Sequence, residues 1–279
     1  MIAYIQYPEW LHPEIIPGLP VRWYGFMYLV AFIIAFFLLR KQMKERGIPS
    51  PNDEAMNLIT WGIIGLLLGA RIFATIVYDD TVLYLTHPWL IFWPFDSHMH
   101  FTGFQGMSYH GGVIGGGLGV LFYSIRHRQS FCANADMMVT AIPFGYFFGR
   151  IGNFINAELY GRVTDSPMGM MFPGQDQPRH PSQLYEAFFE GLFLGILMWF
   201  VFRKMKLRDG VRMGLYLFCY GFIRFFIEFF REPDENLGFI LLHLSMGQLL
   251  CLLMMMIGAS VILFCTLMSP DGCRPHHSA

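Results

Sequence analysis

Arginines, carboxylates and amides stand at the edges of apolar runs in this chain, and their spacing is where its chemistry must be sought. The stretch Phe148–Gly161, F-G-R-I-G-N-F-I-N-A-E-L-Y-G, closes one long apolar run with Arg150, Asn153 and Glu158. Arg224, Glu228 and Arg231 follow at i, i+4 and i+7 in another run, a spacing that puts them on one helical face. Gln183, Glu186 and Glu190 share a face one to two turns into a third. His110 opens a fourth, and Tyr24 stands near the start of the first. Charge at membrane depth is costly, so it is kept where it has a partner or a function. Arginine carries a planar fork that matches phosphate oxygens and keeps its charge on burial. Several such forks at one depth point to an anionic phosphate ligand, with the carboxylates orienting the guanidinium groups rather than reacting.

Other chemistries find less support. A neutral imidazole is suited to general-base work near neutral pH, which makes His110 the base candidate. It would serve equally as a hydrogen-bond partner of the ligand or as a link between two helices. His180 is a weaker base candidate and is expected to cap the helix that follows it. His98 and His100 lie two apart in a loop, and neither H-x-x-x-H nor C-x-x-C occurs, so no metal site and no cofactor are expected. No serine sits in a G-x-S-x-G turn. A lipid or small-anion transporter would also gather charge. It would need polar residues continuing across both leaflets, and below Arg71 and Arg224 the runs are mostly Phe, Ile, Leu and Gly.

The elements that must hold these residues are membrane helices. The 279 residues are 54% hydrophobic and only 14% charged, against about 25% charged in soluble domains. Seven runs are long enough to span, at Val21–Leu39, Asn57–Tyr78, Tyr109–Ile125, Ala133–Arg150, Ser182–Phe202, Met213–Phe230 and Ser245–Leu267. The expected fold is an all-α polytopic membrane protein forming a single domain over residues 1–279, without a removable signal. Trp89–Phe95 with Met99–Met107 reads as an interfacial or re-entrant segment. Lys and Arg fall after the first, third and fifth runs, and none lies in 79–108. By the positive-inside rule the amino terminus is outside and the carboxyl terminus inside. Segments 1–20, 79–108, 151–181 and 231–244 then form a small outer cap. Arg71 lies seven residues before the outer end of its run, a rise of about 10 Å. The arginines that break the charge rule thus cluster on the outer side. The net charge of −1, with no basic run, gives no sign of a nucleic-acid partner. Gly111, Gly115 and Gly119 form one small-residue line and Gly112 and Gly116 a second, which lets helices approach closely. The same flat face would alternatively leave room for an acyl chain.

Six blocks carry a family resemblance. They are R-W-Y-G-F-M-Y (Arg22–Tyr28), Y-H-G-G-V-I-G (Tyr109–Gly115), G-R-I-G-N-F-I-N-A-E-L-Y-G (Gly149–Gly161), R-H-P-S-Q-L-Y-E (Arg179–Glu186), R-F-F-I-E-F-F-R-E-P-D (Arg224–Asp234) and S-M-G-Q (Ser245–Gln248). In order and content they resemble the bacterial prolipoprotein diacylglyceryl transferases. Ala157 stands where many relatives carry glycine, and Tyr109 where many carry phenylalanine. The resemblance implies an enzyme of the bacterial inner membrane working toward its periplasmic leaflet. Its partners would be phosphatidylglycerol and preprolipoprotein signal peptides with a lipobox cysteine. An sn-1,2-diacylglyceryl group would pass to the cysteine thiol as a thioether, and glycerol 1-phosphate would leave. On that reading Arg150 and Arg224 hold the phosphate, and Asn153 and Tyr24 meet the headgroup. Gly161 belongs to the same substrate site. Glu158 and Glu228 hold the arginines, and His110 activates the thiol.

Overall fold

The protein is described by a computed structural model covering residues 4–16, 18, 21–77, 81–93, 95, 99–100, 106–232, 239–241 and 244–267. Helices account for most of it: α1 (Trp23–Glu45), α2 (Pro51–Val77), α3 (Thr81–Thr86), α4 (Tyr109–Arg126), α5 (Phe131–Val139), α6 (Ile142–Ile155), α7 (Ser182–Phe202), α8 (Val211–Ile227) and α9 (Met246–Leu267). Rods α1, α2, α7 and α9 are long and apolar enough to cross a bilayer. The chain is a polytopic helical membrane protein. Short strands stand beside the helices: β1 (Ile5–Gln6) pairs in parallel with β2 (Met170–Met171), and β3 (Phe239–Leu241) pairs antiparallel with β4 (Leu244–Ser245).

The run expected as one helix over Ala133–Arg150 is broken. Pro143 lacks an N–H, and its ring would collide with the carbonyl four residues back. That carbonyl belongs to Val139, where α5 ends, and the chain restarts as α6 with Pro143 in its first turn. The second half then continues past Arg150 to Ile155, so Asn153 lies one turn beyond the arginine on the same helix. In α7 the hydrogen bonding widens to π geometry over Ala187–Phe193 and again over Leu197–Phe202, a local form that often marks functional positions. The helix α8 stops at Ile227, with Glu228 as its C-cap. Arg231 is therefore off the helix, not on its third turn as the spacing suggested.

The chain forms two compact units, one of residues 1–39 with 136–274 and one centred on 40–135. In the second, α2 and α4 pack backbone to backbone. A Cβ on Gly65 or Gly69 would run into the carbonyl oxygen of Gly115 or Gly111, and one on Gly119 into that of Trp61. The line Gly111–Gly115–Gly119 is thus filled by α2, which removes the reading of that line as a bed for an acyl chain. Ser108 caps α4, its Oγ accepting from the Gly111 N–H at 3.2 Å. Arg71 does not point into open space. Its Nε donates to the Ile91 carbonyl at 2.5 Å and its Nη1 to that of Gly106 at 3.3 Å. It pins the 3₁₀ turn Pro88–Phe92, which overlaps the start of the expected interfacial segment. Pro94 and residues 101–105 of that segment, and His98 between its two parts, lie outside the described residues.

In the first unit, Val139, Leu194, Met198 and Tyr220 form a buried cluster. Asp136, fully buried, accepts from the N–H groups of Gly210 (2.9 Å) and Met213 (2.8 Å) and so caps α8 from another helix. At the opposite end of α6 the strand pair β1–β2 forms a small lid. Tyr7 packs with Met170 and Phe172, and its hydroxyl donates to the carbonyls of Phe154 (3.1 Å) and Ile155 (2.9 Å). Those carbonyls end the helix that carries Arg150, so the amino-terminal segment fixes the frame of the site.

Candidate active site

The first unit gathers three arginines and three glutamates from α6, α7, α8 and the turn that follows α8. The hub is Glu186, at 0% exposure. Its Oε2 lies 2.8 Å from Arg150 Nε and 3.0 Å from Arg224 Nη1. The Tyr146 hydroxyl donates to the same oxygen at 3.0 Å. Its Oε1 accepts from Arg231 Nη1 at 3.0 Å. Arg224 also meets Glu190 at 3.4 Å and, across one turn of α8, Glu228 at 3.0 Å. In water such exposed pairs contribute little; here they fix guanidinium groups that would otherwise be uncompensated charges in an apolar layer.

A hydrogen-bonded relay leads away from Arg150. Its Nη1 donates to Asn153 Oδ1 at 3.3 Å, and Asn153 Nδ2 donates to Glu158 Oε1 at 2.8 Å. Asn156 reaches the same oxygen at 3.3 Å. Arg150 Nη2 has no hydrogen-bond acceptor among the described residues. Glu158 and Asn156 also line a cavity of about 540 Å³ with His12, Pro13, Glu14 and Arg22. The site thus has a fixed donor fork, a polar relay and an open polar space beyond it, which together suit an anionic ligand with a hydroxylated end.

The family is decided by comparison with known proteins. Residues 13–264 match the family model described as prolipoprotein diacylglyceryl transferase. The chain belongs to the prolipoprotein diacylglyceryl transferase family. It is 46% identical to the phosphatidylglycerol–prolipoprotein diacylglyceryl transferase of Treponema denticola, over 94% of this chain and 95% of that one. The protein of the same name from Chlorobaculum tepidum is 44% identical over 92% and 91%. That from Treponema pallidum is 43% identical over 91% and 93%. The chain is therefore a transferase.

Within this transferase fold, Arg150, Asn153, Glu158, Arg224 and Glu228 meet in one network. Tyr24 faces the same helix. A Cβ on Gly152 would sit 2.9 Å from its ring, and its hydroxyl lies 3.1 Å from that of Tyr28. Gly161 has a tight structural position: it bridges to Arg231, and a Cβ there would strike the Phe230 carbonyl. His110 lies on the other unit, exposed in the first turn of α4.

Two expectations are corrected. Glu158 does not hold Arg150 directly; it acts through Asn153, and the carboxylate on Arg150 is Glu186. His180 does not cap α7, whose N-cap is Pro181. Its Nδ1 lies 3.3 Å from the Tyr185 hydroxyl, its ring packs on Phe230, and burial lowers its pKa below the ordinary value. Tyr146 carries no role in the sequence reading, and Glu186 and Glu190 have only the general one of carboxylates orienting arginines, with no partner assigned. The signal available was the i, i+4 pair of acids inside an apolar run at the depth of the arginines.

Proposed function

We propose that this chain transfers the sn-1,2-diacylglyceryl group of phosphatidylglycerol to the lipobox cysteine of a preprolipoprotein. The cysteine sulfur attacks the glycerol carbon as its thiol proton is removed. The bond from that carbon to the phosphate oxygen breaks, a thioether forms, and glycerol 1-phosphate leaves. The observation that carries this reading is the meeting of Arg150 and Arg224 on one carboxylate oxygen. Two guanidinium groups held side by side form a fork for phosphodiester oxygens, and fixed donors at developing charge are a large catalytic contribution. Asn153 and Tyr24 orient the headgroup, with Gly161 in the same substrate site. Glu228 steadies Arg224, and Glu158 steadies Arg150 through Asn153. His110 is assigned as the base for the thiol, which otherwise ionises near pH 8.5.

The same reading places seven spans in the bacterial inner membrane, amino terminus outside, with the arginine cluster toward the periplasmic leaflet. The distribution of Lys and Arg supports that orientation. The test is direct. Purified protein is mixed with phosphatidylglycerol and a lipobox peptide, and the peptide is weighed by mass spectrometry. A diacylglyceryl adduct is expected. Free diacylglycerol without adduct would mean a hydrolase, and no change in either lipid or peptide would end the reading.

A further inference from the structure

By formal charge, the arginine cluster is balanced before any anion arrives. Arg150, Arg224 and Arg231 face Glu186, Glu190 and Glu228. Widening the circle changes nothing. Arg162, whose guanidinium lies on the carbonyls of Arg231 and Glu228, is matched by Glu158, joined to Arg150 through Asn153. A phosphodiester seated on Arg224 adds one negative charge to this balance. An unbalanced charge in an apolar layer is removed by protonation rather than tolerated.

The three central carboxylates are not equally able to take that proton. Glu186 is held by Arg150, Arg224, Arg231 and the Tyr146 hydroxyl. Glu228 has Arg224 at 3.0 Å, Arg231 at 3.7 Å and the Ser245 hydroxyl at 3.5 Å. Glu190 has one long ion pair, 3.4 Å from Arg224 through Oε1; the Oε2 atoms of Glu190 and Glu228 are both buried without a hydrogen-bond partner, but that of Glu228 has two arginines within 4 Å and that of Glu190 is in no ion pair. The residue is only 1% exposed. Around it stand Tyr146 and Arg150 from α6, Glu186 on its own helix, Arg224 from α8 and the buried thiol of Cys251 from α9. When the phosphodiester draws Arg224 to itself, Glu190 loses its one ion pair, while Glu186 keeps Arg150 and Arg231 and Glu228 keeps Arg231.

We propose that Glu190 takes up one proton as the anionic lipid binds, so that the cluster stays neutral with the phosphodiester aboard. The proton comes from water at the open end of the site and returns there when the anionic product leaves. Glu190 is on this view a positioning residue that sets the pH dependence of lipid binding without touching the lipid. The inference rests on the reading that Arg224 receives the phosphodiester.

The test is calorimetric titration of the wild-type protein in detergent with phosphatidylglycerol, in buffers of different ionisation enthalpy. One proton is expected to be taken up per lipid bound, and the apparent Kd should rise up to tenfold per pH unit on the alkaline side. Glu190→Gln mimics the protonated acid. It should bind with no proton uptake and show a flat pH dependence of binding, whereas Glu190→Asp should restore the pH dependence. Zero proton uptake by the wild type would overturn the proposal, whatever the variants do. So would unchanged uptake in Glu190→Gln. Failure of the underlying reading looks different: Arg224→Lys would then bind and turn over phosphatidylglycerol as the wild type does.

Discussion

Arg150 and Arg224 share one acceptor: Nε of the first and Nη1 of the second lie 2.8 Å and 3.0 Å from Glu186 Oε2. Two cations repel when brought together in an apolar layer, and the shared carboxylate is what makes their approach tolerable. Replacing Glu186 by Gln keeps the shape and removes that charge. Breaking a buried ion pair from one side costs about 3–5 kcal/mol. Glu186→Gln should therefore lower thermal stability and cut transfer by at least about 100-fold, the scale of losing one fixed donor. Peptide mass spectrometry alongside a thermal melt in detergent checks both, and near-normal turnover would remove Glu186 as the hub.

Arg150→Lys and Arg224→Lys keep the charge and lose the fork. A lysine ammonium is a point charge and cannot meet Glu186 and a phosphate oxygen in one plane. Each substitution should reduce kcat by about 10²–10³. If both variants turn over phosphatidylglycerol at the wild-type rate, the paired guanidinium groups are structural and the phosphate is held elsewhere.

Much of this site was legible in the sequence because charge is conspicuous in apolar runs. Arg150, Asn153, Arg224 and Glu228 meet as their spacing implied. What was not legible was which acid serves which base. Sequence spacing reports neighbours on one helix, so it found the Arg224–Glu228 pair across one turn. Glu186 reaches its three arginines from a different helix, and such pairings depend on packing. The break before α6 was foreseeable from Pro143 alone. The π segments of α7 had no comparable signal, since neither proline nor glycine spacing announces them.

His110 offers a test of the proposed base. If it removes the thiol proton, transfer requires the neutral imidazole, and the pH–rate profile of the wild type falls on the acid side. His110→Gln should be slowed by about 10²–10⁴, the usual worth of general-base help, and the acid limb should disappear. A variant that is slow but keeps the limb would show that His110 binds substrate or joins helices instead.

Ala157 follows the C-cap of α6 with φ +51°, the left-handed region. Glycine is the usual residue at this position because a Cβ there is strained. The strain is about 1–2 kcal/mol, offset by roughly 0.5–1 kcal/mol of extra chain entropy for glycine. Ala157→Gly should thus raise stability by up to about 1 kcal/mol, seen as a higher melting temperature. A fall in melting temperature would mean that the methyl group contributes packing worth more than the strain.

The α2–α4 contact yields a comparison inside one helix. Gly115 lies against the backbone of Gly65 and Gly69, whereas Gly117 has nothing within 4 Å of a prospective Cβ. A methyl at Gly115 cannot be absorbed by a side-chain rotation, because the opposing atoms are backbone. Helices that associate through close backbone approach in lipid lose that association when pushed apart. Gly115→Ala should destabilise by about 1–3 kcal/mol through overpacking. Gly117→Ala should be neutral or slightly stabilising, since alanine is favoured over glycine in a helix by about 1 kcal/mol. Thermal unfolding of the two variants in the same detergent separates the effects. Equal behaviour would show that the glycine line does not set the spacing of the two helices.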